Sequence, residues 1–243
     1  MTNVAVLNSQ THNALRVHAE ASAQYGDNRR FVAVVVNEFS LLVLHYPIFL
    51  SKDADTGAFY CGAMLGFDEG ENLFLPVDGG RDDAYRPLNL QRGPFYTLGS
   101  DLAIDLDHSR VDASNIHAQR LFEDNGEPTE YLQSIRALMR ELRPGLERTK
   151  IFVETLLQHK LVESIDIDVG FDDGSNRQIE GLYVIDQEAL RKLPDDVALE
   201  LFRRGYLQLI YLMIASLKQV SVLAQKKNRR LLNAIDSLNQ PRA

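Results

Sequence analysis

The longest apolar stretch of the chain, Phe31 to Leu50, reads FVAVVVNEFSLLVLHYPIFL. A bilayer-crossing helix needs ~20 apolar residues, so the length raises a membrane reading, which the content rejects. Asn37, Glu38 and His45 would sit in hydrocarbon without partners, and Pro47 would remove a backbone donor there. As soluble structure the run divides. Phe31 to Val36 is rich in β-branched residues and predicts a strand buried on both faces. Asn37 suits a helix N-cap and Glu38 the first turn, after which Phe39, Leu42, Val43 and Tyr46 recur at helical spacing. Pro47 ends that helix, and Ile48 to Leu50 return as a strand; one continuous bent strand is the alternative.

Beyond it the pattern keeps a strand-and-turn rhythm. KDADTG, Lys52 to Gly57, predicts a hairpin turn. Phe59 to Phe67 predicts a strand in which the small residues Gly62 and Ala63 permit a close neighbour. DEGEN turns the chain, Leu73 to Val77 predicts another strand, VDGGRDD another turn, and Leu102 to Leu106 a further strand. From Pro128 the period changes. Tyr131, Leu132, Ile135, Leu138, Met139 and Leu142 mark a helix, which Pro144 and Gly145 should break or kink before a second resumes from about Leu146 to about Lys160. Ile165, Ile167, Val169 and Phe171 alternate with polar residues, and DDGSN returns the chain through Gln178 to Ile185 as a hairpin. After LPDD a helical pattern runs to about Gln225, uncharged from Tyr206 to Leu217, with Gly205 a candidate bend. A helix apolar nearly all round is expected in the core; a homodimer interface through 206–217 is the alternative. KKNRR, Lys226 to Arg230, reads as a solvated basic end.

The fold expected is therefore α+β: a β-rich N-terminal half with a short helix insertion, then a helical C-terminal half with one β-hairpin and a buried long C-terminal helix. The 243 residues suffice for a core without disulfides or metal. They are read as a single domain, 1–243, with a polar N-terminal arm over 1–30, the β-rich half over 31–110 and the helical half over 128–227, its hairpin at 163–185. Met1 to Val17 carries no basic segment followed by an apolar one, so no secretory signal is read and cytoplasmic residence is expected. A formal net charge of −8 argues against a dedicated nucleic-acid backbone binder. The one cysteine, Cys61, lies in an apolar run and reads as a buried, inert thiol.

Local chemistry is sparse. GxSxG, HExxH, P-loop and GxGxxG patterns are all absent from the sequence. Asp105, Asp107, His108, Asp112 and His117 come nearest to a ligand set, but the run lacks the central Gly and twelfth-position Glu of an EF-hand and reads as a polar loop. Asp68, Glu69 and Glu71 read as a solvated turn, Asp166 and Asp168 as an exposed strand face. His12 and His18 have no metal-pair spacing and read as solvent-exposed, and His159 reads as a helix-end partner. No catalytic residue, metal ligand or cofactor is assigned. The stretch YRPLNLQRGPF with Tyr96 differs in kind, because two prolines and Gly93 interrupt regular structure while Tyr85, Phe95 and Tyr96 stand beside Arg86 and Arg92. These five residues are the candidate ligand- or partner-binding surface; a fixed connection packed on the sheet is the plainer reading.

Several segments carry a family resemblance: NEF, HYPIF, GFDEGENLF, QRGPF, LFEDNGEPT, ERTKIFVETL, and RRGYLQLIY followed by ASL. In this order, from about Phe31 to about Leu223, the chain resembles the SapC family of bacterial proteins, although it contains no Trp. The family is named for association with surface-layer protein genes, and its members often lie near genes for outer-membrane receptors and flavin halogenase-like enzymes. The resemblance implies a context without a reaction. The reading that follows is a non-catalytic binding or accessory protein of an envelope-associated or halogenase-type system, with a protein partner favoured over nucleic acid. An enzyme or sensor with a small-molecule pocket between the two halves is the alternative.

Overall fold

The computed structural model describes residues 3–76 and 83–239. In chain order it contains β1 (Val4–Val6), α1 (Ser9–His12), β2 (Arg16–Val17), β3 (Phe31–Ala33), α2 (Phe39–Leu42), β4 (Ile48–Lys52) and β5 (Phe59–Met64). Then come α3 (Leu88–Gln91), β6 (Phe95–Leu98), β7 (Asp101–Asp105), β8 (Gln119–Arg120) and α4 (Glu130–Gln158). The chain closes with β9 (Val162–Gly170), β10 (Asn176–Ile185), α5 (Gln187–Arg191), α6 (Asp195–Arg203), α7 (Tyr206–Ser216) and α8 (Gln219–Asn239). It is an α+β fold. The contacts divide it into two compact units, each made of two stretches of chain: Met1–Asn28 with Leu75–Leu146, and Arg29–Phe74 with Glu147–Ala243.

The second unit is built on a five-stranded antiparallel sheet of order β3-β5-β4-β10-β9. The turn between β4 and β5 is closed by the Asp53 carboxylate, which accepts from Thr56 N at 2.8 Å, and by Gly57 at φ +68°. Phe31 of β3 lies on Gly62 of β5, where a Cβ would collide with its ring, so the small residue is what admits the edge strand. Phe49, Met64, Phe67, Phe171, Leu182 and, from α8, Leu223 close the core. Ser216 ties α7 to the sheet: its hydroxyl accepts from Ile48 N at 2.9 Å and donates to Met213 O at 2.6 Å. Thr149 of α4 likewise accepts from Val36 N at 3.0 Å.

In the first unit β1-β7-β6 form a three-stranded sheet and β2 pairs with β8. Phe95, Ala103, Ile104, Leu121 and Leu132 are among its buried apolar residues.

Several expectations need correction. The first 30 residues are not an irregular arm, because β1 pairs with β7 and β2 with β8, partners about a hundred residues away that leave no local pattern. Leu73 to Leu75 form a turn rather than a strand, although Leu73 is buried. Val77 and most of VDGGRDD lie outside the described residues. The proline-rich stretch contains α3 after Pro87 and β6 from Phe95. Pro144 does not break its helix, and α4 runs through it. One backbone hydrogen bond is lost there, while Leu132, Ile135 and Leu142 before it and Phe152, Val153 and Leu156 after it are all buried. The helical stretch from Asp195 is three helices, with Gly205 at φ +73° between α6 and α7. The burial of α7 is confined to one edge, Ile210, Met213 and Ser216. KKNRR lies within α8, and Lys227 is buried.

Candidate functional site

Of the five residues singled out in the proline-rich stretch, Arg86 and Phe95 turn inward. Arg86 follows the undescribed segment and precedes Pro87, whose fixed φ leads into α3. Its guanidinium donates to Asp27 Oδ1 at 3.2 Å and Oδ2 at 3.1 Å, to Ala19 O at 3.0 Å and to Leu90 O at 3.1 Å. Phe95 is fully buried and its ring lies 6.3 Å from that of Tyr131. Arg92 donates to Asn89 Oδ1 at 3.1 Å and Phe95 O at 2.9 Å, and stacks 4.4 Å above the Tyr96 ring. Tyr85, Arg92 and Tyr96 stay half-buried.

The structure adds residues that the sequence did not mark. Arg110, with its side chain 3% exposed, also binds Asp27 Oδ2. It donates to His18 O at 2.6 Å and Glu20 O at 2.8 Å, and its guanidinium lies 5.1 Å from the Tyr25 ring. His18, expected in solvent, is buried: Tyr25 stacks on it with ring centroids 4.6 Å apart, and its Nδ1 lies 3.0 Å from Glu20 Oε1. One carboxylate thus holds two guanidinium groups, and the segment from His18 to Asp27 wraps Arg110. Burial draws Arg86 below the ordinary arginine value, and the charge of Asp27 opposes that. Its Nε is buried with no hydrogen-bond partner. Beside Arg86 a cavity of about 430 Å³ is lined also by Gln91, Tyr131, Ser134 and Leu138. Burial pushes the Tyr131 phenol up to about 12, so it presents a neutral hydroxyl at pH 7. A half-buried cation and a neutral phenol can hold a small anion or polar group. Among the described residues the lining contains no carboxylate, imidazole or thiol to move a proton.

The remaining sequence candidates scatter. His108 Nδ1 accepts from Arg110 N at 3.1 Å, Asp105 Oδ1 from Asp107 N at 3.2 Å, and Asp112 Oδ1 from Ser114. These are turn contacts. Among the described residues no three His, Cys, Asp or Glu side chains are placed to hold a metal ion. Asp68 and Glu71 are not a solvated turn, because Lys227 of α8 binds both and Arg177 of β10 binds Asp68, while Glu69 pairs with Arg30 at 2.7 Å. Asp166 and Asp168 lie on the exposed face of β9. Cys61 is buried, and burial pushes its thiol up to about 12.

The second unit also carries an uncovered apolar surface. α2 and α6 both pack against α7. Phe202 of α6 is 69% exposed and Tyr211 of α7 58%, with Leu199, Leu41 and Leu44 also exposed on these helices and the turn after α2. The run Tyr206–Ala234 is long enough to cross a membrane and holds an 18-residue window apolar enough to do so by composition alone, with a mean hydropathy of 1.6. Ser216 and Lys227 within it bond to β4 and to the Asp68–Glu71 turn.

Fold and surfaces together describe an α+β protein of two discontinuous units, with a buried arginine–aspartate cluster in one and an open apolar helical face in the other. The SapC family model matches residues 7–223, and the chain belongs to the SapC family. The match begins well before Phe31 and takes in most of the N-terminal segment that the structure pairs into the first unit. No curated protein and no solved structure matches the chain.

Proposed function

We propose that the protein is a non-catalytic binding or accessory protein of a bacterial envelope-associated or halogenase-type system, resident in the cytoplasm. It would hold a protein partner on the apolar face of α6 and α7. The observation that carries this reading is the exposure of Phe202 and Tyr211, large aromatic side chains on helices already packed against their own unit. Aromatic residues are over-represented at protein interfaces, where they give contact area at low entropic cost. Around them stand ion-paired and charged side chains, Glu200 with Arg204 at 2.9 Å and Arg203, which suit the polar rim of such a contact.

The test is co-purification of the tagged chain with the receptor-like or halogenase-like products encoded beside its gene, using wild type and Phe202→Asp. The exposed position should leave the melting temperature nearly unchanged, while the variant loses the partner. Purification without either product, or equal recovery by the variant, overturns the reading. A wild-type dimer that Phe202→Asp dissociates identifies a second copy of the chain as the occupant.

A second reading, a small-molecule-binding enzyme or sensor, draws support from the cavity beside Arg86. Its walls come from Ala19, from Arg86 and Gln91, and from the first turns of α4, all within the first unit.

A further inference from the structure

A different groove lies in the first unit, between the N-terminal part of α4 and the sheet β1-β7-β6. Its volume is about 740 Å³, within the roughly 300–1,000 Å³ of small-molecule sites. Arg136, Arg140 and Arg143 line one wall. Their i, i+4, i+7 spacing places them on one face of α4, and the rise of ~1.5 Å per residue spreads their Cα atoms over about 10 Å.

Two other charged helix ends of the chain are arranged differently. In α5 and α6, Lys192 pairs with Glu188 and Arg204 with Glu200, each one turn away. Arg140 has Arg136 one turn before it, a like-charge spacing that destabilises a helix. Among the described residues Arg136 and Arg140 make no ion pair, and Arg143 donates to Gly99 O at 2.9 Å, which aims it toward the turn between β6 and β7. Three cations converge on a concavity in a chain whose net charge is −8. The opposite wall supplies Thr97 and Ser100 as neutral hydroxyls, while Leu7, Leu102 and Met139 add apolar surface. Asp101 also faces the groove, which restricts negative charge to the α4 side.

We infer that this groove binds a small organic dianion, with carboxylate or phosphate groups one to two helical turns apart and an apolar body between them. Arginine forks match the two oxygens of such groups in a way that lysine does not. The apolar surface rewards methylenes that a bare inorganic anion lacks.

The test is titration calorimetry on the full chain at about 50 mM salt, where screening is weak, with succinate, suberate and pyrophosphate as probes. Suberate should saturate one site and bind at least about fivefold tighter than succinate, and Arg136→Gln with Arg140→Gln should weaken it about tenfold or more. Both positions are exposed, so the circular dichroism spectrum and melting temperature of the double variant should match wild type; Arg140→Lys should recover part of the affinity. Saturation by pyrophosphate and not suberate overturns the inference, because pyrophosphate has neither the spacing nor the apolar body. Absence of saturation by all three probes overturns the inference, as does equal binding by the double variant. Binding of a polyglutamate peptide with no response to the small anions also overturns it.

Discussion

Asp27 accepts from Arg86, Arg110 and the Ser22 amide, so a single carboxylate bridges two guanidinium groups and fixes the turn that leads out of the N-terminal segment. Replacing it with Asn keeps the shape and removes the charge, leaving Arg110 buried and unpaired. Losing one partner of a buried pair costs about 3–5 kcal/mol, and the lower end is expected here because the Arg86 side chain is 25% exposed. Urea unfolding of Asp27→Asn should show that loss; a change below about 1 kcal/mol would mean that the cluster contributes little. The sequence drew attention to Arg86 through the prolines and aromatics around it, and had no means to find its partners. Asp27 is 59 residues from Arg86 and 83 from Arg110, and charge pairs at that separation leave no periodicity. Gly62 was legible for the opposite reason. A glycine within an apolar strand already says that something approaches closely, and the structure names Phe31.

At the scale of elements, hydrophobic period located most strands and helices, and errors gather where packing overrides a local breaker. Pro144 is the clearest case. The sequence sees a missing N–H, whereas the fold sees a helix buried along one face on both sides of it. KKNRR is a second, since a basic run reads as solvated until Asp68 and Glu71 are found under Lys227. That cluster ties the turn after β5 to β10 and α8, and it makes stability depend on pH. The hydrogen bond from Arg177, joined by Lys227, holds Asp68 below its ordinary 3.8. A carboxylate depressed on folding contributes stability that is present above its unfolded pKa and is lost as pH falls through its folded one. The stability gap between wild type and Asp68→Asn should therefore be widest above about pH 5 and close on further acidification. Lys227 works from the other end. Burial lowers its pKa, but hydrogen bonds to Asp68 and Glu71 more than offset this and leave it above the ordinary 10.5, so its contribution persists until strongly alkaline pH. A gap between wild type and Asp68→Asn that stays constant from neutral to acid pH would show that the ion pairs are stabilising nothing.

For the whole molecule, composition and period were enough for an α+β fold, and neither revealed how the chain is apportioned. Each unit takes one early and one later stretch, and the chain passes between them for the third time inside α4, between Leu146 and Glu147. A helix shows no composition shift where it crosses such a boundary, so sequence reading placed its divisions at loops. The same limit applies to α7. Uniform apolarity predicted full cover, yet Ile210 is fully buried and the next residue, Tyr211, is 58% exposed. These neighbours give a test of the whole assembly. Ile210→Asp puts an unpaired charge into the packed edge of α7 and should cost several kcal/mol, comparable with the ~5–15 kcal/mol that holds many domains together. Tyr211→Asp places the same charge one residue further on, where exposed substitutions move stability by no more than about 0.5 kcal/mol. Its effect should appear in association alone, as a lost partner or a dissociated dimer in light scattering, with the melting curve unchanged. If Tyr211→Asp unfolds the chain as Ile210→Asp does, the apolar face is covered within the molecule and cannot be the docking surface. If both variants keep wild-type stability and association, α7 contributes neither core nor contact, and the proposed role of its helical face fails with it.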